Sequence, residues 1–248
     1  MEIQEDGFKM FIEIFQNMGG SFHILENRVP VAQQMEYFDY SHKLRKKKLK
    51  KLKESDFCLL GEKLASAELS KEEKKKILTI LALSSEVRAY RLLEHYMQQP
   101  DEELINWATM ALIESRISIE SDLSGEKQIF ISSGLGGKEG KLRFYVLFPS
   151  ARGASFEDYQ RKVIETEFGE IFPKKDCEVE RLTIKENYVE LVFLMPFTTN
   201  IRTVLESAVS ECNLYGNFLS PVFTVTNVKE FSQDEVNQTL AKTIRKRK

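Results

Sequence analysis

The sequence predicts an α+β protein in two domains. Residues 1–122 read as an all-α antiparallel helical array. Residues 123–248 read as a β-α-β-β-α-β sandwich with an added N-terminal strand and C-terminal helix. Three observations carry this. Up to Ser118, apolar residues recur at three- and four-residue steps, the period of helices with one buried face. Beyond it, short β-branched and aromatic runs alternate with helical stretches. Leu142–Pro149 (LRFYVLFP) opens that alternation. A chain of 248 residues, 42% hydrophobic and 30% charged, can bury the cores that two such domains need.

The helical half begins with Phe8, Phe11, Ile12, Phe15 and Met18, one apolar helix face ended by Gly19-Gly20. Pro30 limits where the next helix starts, and Val31–Glu54 contains no breaker. Asp56 suits the cap of a helix over Phe57–Ala67 that carries Leu59, Leu60 and Leu64. The clearest helix start is Ser70, with Glu73 three residues on, a capping box ahead of Ile77, Leu78, Ile80, Leu81 and Leu83. A second helix is expected over Val87–Gln98 with Val87, Leu92, Leu93 and Tyr96 inward. A third follows Pro100-Asp101 over Glu102–Glu114, its acids at the end of the helix dipole that they stabilise.

Pro100-Asp101 followed by Leu104, Ala108, Ala111 and Leu112 resembles the second helix of a HEAT or armadillo-type repeat. The pattern departs from the family at Ile105, where an arginine is usual, and at Arg91, where a small residue is expected. The resemblance covers residues 70–115. It implies stacked antiparallel helix pairs and a scaffold for protein contacts.

In the mixed half, Lys127–Ser133 reads as a strand and Gly134–Gly140 as a glycine-rich loop leading into Leu142–Phe148. A helix at Ser155–Phe168, strands near Glu178–Lys185 and Tyr188–Met195, a helix at Thr199–Asn213, a strand at Val222–Val228 and a last helix from Ser232 follow. Counted from Leu142, this order is similar to the ferredoxin-like fold, an antiparallel sheet with two helices on one face. The simplest pairing joins the Lys127–Ser133 strand to the Leu142 strand in a hairpin. In the unadorned fold that place is taken, so the added strand belongs at an edge or the strand order differs.

Alternation puts Phe144, Val146 and Phe148 on one face with Val189, Leu191 and Phe193. Tyr145, Leu147, Tyr188, Val192 and Leu194 lie on the other. Both central strands are thus apolar on both faces, which calls for a cover on the second. The helical half, the last helix or another copy of the chain would serve, and these five residues are a candidate interface. RNA-recognition motifs of the same topology bind through such a face. Here Lys185-Glu186-Asn187-Tyr188-Val189 lacks the glycine expected after the basic residue, and Glu190 sits on that face.

The net charge of −2 singles out no partner, but its distribution does. His42–Lys53 packs Lys43, Arg45, Lys46, Lys47, Lys48, Lys50, Lys51 and Lys53 around a seam of Leu44, Leu49 and Leu52. Such a run is either a solvated face or a contact surface for an anionic partner. No aromatic residue interleaves the lysines, so a nucleic acid would be held by its phosphates, with little sequence preference. The Arg245–Lys248 tail is read as a solvated end.

Catalytic patterns are missing from the sequence. The glycine loop lies between two expected strands, without the helix that a phosphate loop needs. His23, His42 and His95 are the only histidines, and His95 reads as a partly buried structural residue. Cys58, Cys177 and Cys212 make no CxxC pair and read as buried thiols. The expectation is therefore a non-catalytic protein-interaction module, with no enzyme activity, cofactor or metal and with a protein partner or self-association. The alternatives are a nucleic-acid-associated protein using the basic helix, and a small-molecule sensor or enzyme built on the α+β domain. An acidic N-terminus and no apolar run of about 18 residues point to a cytoplasmic chain without a membrane partner.

Overall fold

The computed structural model describes residues 21–47, 52–66, 68–126 and 128–245. The helix expected over residues 6–18 lies outside them. The chain is mixed α and β, in two compact units divided after Ile131. Among the described residues, no helix is long and apolar enough to cross a membrane.

The first unit holds β1 (Ser21–Ile24), α1 (Val31–Lys46), α2 (Glu54–Ala65), α3 (Lys71–Leu83), α4 (Val87–Tyr96), a 3-10 turn at Glu102–Leu104, α5 (Ile105–Ser124) and β2 (Gln128–Ile131). α1 begins directly after Pro30, whose missing N–H is not needed there. It stops at Lys46, so the breaker-free stretch to Glu54 is not one helix. At the start of α2, Asp56 accepts from the Lys53 N–H at 2.7 Å, one turn into the helix rather than ahead of it. The Ser70 box closes reciprocally: the Ser70 N–H donates to Glu73 at 3.1 Å, and the Glu73 N–H donates to Ser70 Oγ at 3.4 Å.

α5 runs ten residues past the expected Glu114, ending at Ser124, with Gly125 left-handed at φ 69° as its stop. Val87 was expected inward but is about half exposed, as is Leu59. The core of this unit is Tyr37, Leu78, Leu81, Ala82, Ala89, Leu93, Trp107, Ala108 and Ala111, with their neighbours. The small residues at 82, 89, 108 and 111 let the helices approach closely.

The second unit holds β3 (Gly137–Lys138), β4 (Lys141–Pro149), α6 (Asp158–Lys174), β5 (Glu178–Ile184), β6 (Tyr188–Pro196), α7 (Ile201–Asn213), β7 (Thr224–Thr226) and α8 (Gln233–Arg245). β4 lies between β6 and β7, and β5 flanks β6, all antiparallel. β7 is only three residues long, against the seven expected, and covers the middle of β4. β3 pairs with the start of β4 through a two-residue turn, Glu139-Gly140, both at positive φ as a twisted hairpin requires.

The added strand is a correction. β2 does not join this sheet; it pairs in parallel with β1, in the first unit. β3 and β7 already occupy the free edge of β4, which leaves β2 no place there.

Phe148, Val146, Val189, Leu191 and Phe193 pack against Ile164, Phe168 and Phe172 of α6 and Leu205, Ala208 and Cys212 of α7. The opposite face carries Tyr145, Leu147, Tyr188 and Val192. It is covered by Val236 and Leu240 of α8, with Phe231 and Leu135. The last helix, begun by the expected Ser232–Glu235 box, is therefore the cover that two apolar faces demanded.

Candidate functional site

The lysine-bearing end of α1 is built on a narrow buried seam. Gln34, Tyr37, Ser41 and Leu44 recur at three- and four-residue steps and face the core. The seam is polar as well as apolar, and its partner is Glu114 of α5. The Tyr37 hydroxyl donates to that carboxylate at 2.7 Å, Ser41 Oγ at 2.8 and 2.9 Å, and Arg45 Nη2 at 2.8 Å. Burial pushes the Tyr37 hydroxyl well above its usual pKa, and the Glu114 charge adds to the effect. Glu114 thus sets the rotation of α1 and with it the direction in which the remaining cations project.

Those cations are Lys43, Lys46 and Lys47, all exposed and without an ion pair among the described residues. His42 is exposed beside them, and Lys53, just ahead of α2, is exposed too. Arg45 also reaches solvent, but its charge is matched by Glu114. Lys48, Lys50 and Lys51 lie outside the described residues. Positive charge in the last turn also complements the helix dipole, worth about 0.3–1 kcal/mol per group. That benefit would be met by one or two lysines and does not ask for the whole run.

The second expected surface is closed. Tyr145, Leu147, Tyr188, Val192 and Leu194 are all buried. The Tyr145 hydroxyl donates to Glu190 at 2.8 Å, and burial pushes it far above its usual pKa, with Glu190 adding to the effect. The acid that spoiled the RNA-recognition pattern is the acceptor that lets a tyrosine be buried there. In this structure the face offers no surface to a second copy or to RNA.

The glycine loop is a packed strap. Ser133–Gly137 is buried and only residues 138–140 are exposed. Its amides are used: the Leu135 N–H donates to Asn227 O at 3.0 Å and the Gly136 N–H to Ser133 O at 3.2 Å. A Cβ at Gly134 would fall 1.8 Å from Val228 O, so only glycine fits that crossing. Arg143 secures the strap, donating to Leu135 O at 2.8 Å while its other nitrogens hold Glu180 at 2.5 and 2.7 Å.

His95 is exposed rather than partly buried, as is Cys58. Cys177 and Cys212 are buried as expected, and burial pushes their thiols up to about 11 and about 12. No group of three or more histidine, cysteine, aspartate or glutamate side chains is placed to hold a metal ion, among the described residues.

Sequence reasoning missed a second polar cluster. Lys74, inside Lys71–Lys76, is buried, and its Nζ donates to Asp101 Oδ2 at 2.8 Å. The Tyr96 hydroxyl donates to the same oxygen at 2.5 Å. These two bonds hold the Asp101 carboxyl below its usual pKa. Lys74 stands three residues before Ile77 and four before Leu78, the only sign in the sequence that it shares their buried face.

No family model matches the chain, and no curated protein matches it. Two similar solved structures are a protein described as a transposase from Deinococcus radiodurans R1 and a REP-associated tyrosine transposase bound to a REP hairpin. The first is 16% identical with a TM-score of 0.38, over 43% of this chain and 93% of that one. The second is 10% identical with a TM-score of 0.32, over 40% of this chain and 62% of that one. Neighbours described as transposases stand against the expectation of a non-catalytic scaffold without enzyme activity, and that expectation is withdrawn. At these scores the likeness assigns no activity or substrate to this chain.

Proposed function

We propose that this protein associates with nucleic acid through the lysine-bearing end of α1, by contact with the phosphate backbone. The observation that carries the reading is the trio Lys43, Lys46 and Lys47. They are exposed, unpaired among the described residues, and aimed by a helix that Glu114 holds in place. Lys53, just ahead of α2, is exposed as well. With no aromatic side chain among these lysines, base stacking has no platform, and the contact is electrostatic and tolerant of sequence.

The fold reading goes with it. We read the second unit as ferredoxin-like, because the order β7-β4-β6-β5 with α6 and α7 on one face is what that topology requires. We read α3 to α5 as HEAT-like on the residues at 70–115.

The test is fluorescence anisotropy with duplex and single-stranded probes of scrambled sequence, across a salt series. Binding is expected at low salt with a steep loss as salt rises. Replacing Lys43, Lys46 and Lys47 by alanine is expected to flatten the duplex slope by about 2.7, from about 0.9 per phosphate contact. Absence of binding at low salt, or an unchanged slope in the variant, would overturn the reading.

A further inference from the structure

We propose that a cleft among α2, α3 and α4 binds a small zwitterion of the α-amino-acid class with an aliphatic side chain. This goes beyond the nucleic-acid reading and does not depend on it.

The cleft measures about 400 Å³, within the range of small-molecule sites. Lys74 and Asp101 line it together, their charges 2.8 Å apart. An ammonium has three N–H donors, and the only acceptor Lys74 has among the described residues is Asp101 Oδ2. The Lys74 side chain is only 8% exposed, so its other two donors are left to whatever occupies the cleft that it lines. Asp101 offers the complement. Its Oδ2 is taken by Lys74 and Tyr96, its side chain is 45% exposed, and Oδ1 accepts no hydrogen bond among the described residues.

A built pair of opposite charges selects against singly charged ligands. An anion is drawn to Lys74 but repelled by Asp101, and a cation meets the reverse. A molecule carrying both charges one carbon apart satisfies both. At the rim, His95, Gln98 and Gln99 are exposed and make no side-chain hydrogen bond among the described residues, so they are available to donate or accept. Leu64 and Leu92 supply an apolar wall for the side chain. Gly61 lets α2 close onto α4 there, since a Cβ at that position would lie 3.1 Å from Leu92 Cδ2.

The experiment is titration calorimetry of the full chain with L-leucine, 4-methylpentanoate and 3-methylbutylamine, with the other L-amino acids screened at the same concentration. The last two probes are leucine without its ammonium and leucine without its carboxylate. An amino acid is expected to bind about tenfold or more tighter than its two singly charged analogues, the worth of one hydrogen bond to a charged group. Ala65→Phe, at an exposed wall position outside the Lys74–Asp101 pair itself, is expected to abolish binding at an unchanged melting temperature. Lys74→Met is expected to shift preference from the amino acid to the amine, and Asp101→Asn to shift it to the acid. A purely structural ion pair would do neither. No binding by any amino acid, equal binding by the analogues, or undiminished binding to A65F would overturn the proposal.

Discussion

Two lysine runs lie on packed helices of the same unit and meet opposite fates. On α3, Lys74 is buried against Asp101. Lys75 lies 4.5 Å above the Trp107 ring and is held by Glu36 at 2.8 Å and Glu72 at 3.2 Å. Burial opposes the Lys75 charge, but the two carboxylates outweigh it and raise its pKa. On α1, Lys43, Lys46 and Lys47 find no carboxylate among the described residues. The difference teaches that lysine density alone does not mark a contact surface. What separates the runs is whether neighbouring helices bring acids and aromatic faces within reach.

The largest effect that would break this comparison is at the residue that orients α1. Glu114→Ala strands two buried hydroxyls, Tyr37 and Ser41, and is expected to cost about 3 kcal/mol in urea denaturation. Glu114→Gln, which keeps one carbonyl acceptor, is expected to cost about 1 kcal/mol. Next is Lys74→Met, expected to cost about 2 kcal/mol, less than a fully buried broken pair because Asp101 is half exposed.

The pH dependence sharpens the contrast further. The Asp101 carboxyl titrates below its ordinary 3.8 in the folded chain, so its contribution is present above that value and lost as the pH falls through the folded pKa. The stability gap between wild type and K74M is therefore expected to narrow on acidification. Burial and the hydrogen bond to Asp101 raise the Tyr96 hydroxyl above its ordinary 10.0, so its contribution is present below that value and lost as the pH rises beyond it. Denaturation curves across both ranges check the two signs. The smallest effect is expected at the free run. Alanine at Lys43, Lys46 and Lys47 together should change stability by less than about 1 kcal/mol per site while weakening nucleic-acid binding.

Much of the fold was legible because local chemistry and period two or 3.6 sufficed. The Ser70–Glu73 and Ser232–Glu235 boxes stand where expected, and the two faces of β4 and β6 sort their residues as alternation requires. Legibility failed where contacts between distant segments decide. Nothing local says that β2 leaves the sheet for β1, its partners 107 residues away, or that α1 ends at Lys46 in a breaker-free stretch. The candidate sites divide the same way. The basic run is visible in the sequence, whereas Glu114 and the Lys74–Asp101 pair look like ordinary surface charges until the helices pack.

By itself, then, the sequence determined where most of the helices and the two central strands lie, that β4 has two apolar faces, and that an excess of positive charge sits at 43–53. These depend on neighbours within a turn or a pleat. Only the tertiary structure decided that α8, Phe231 and Leu135 cover Tyr145 and Leu147, and which lysines are spent on partners. Burial and ion pairing depend on residues tens of positions apart. Their outcome is set by how helices and sheet close on one another, a property of the whole packed unit rather than of any stretch within it.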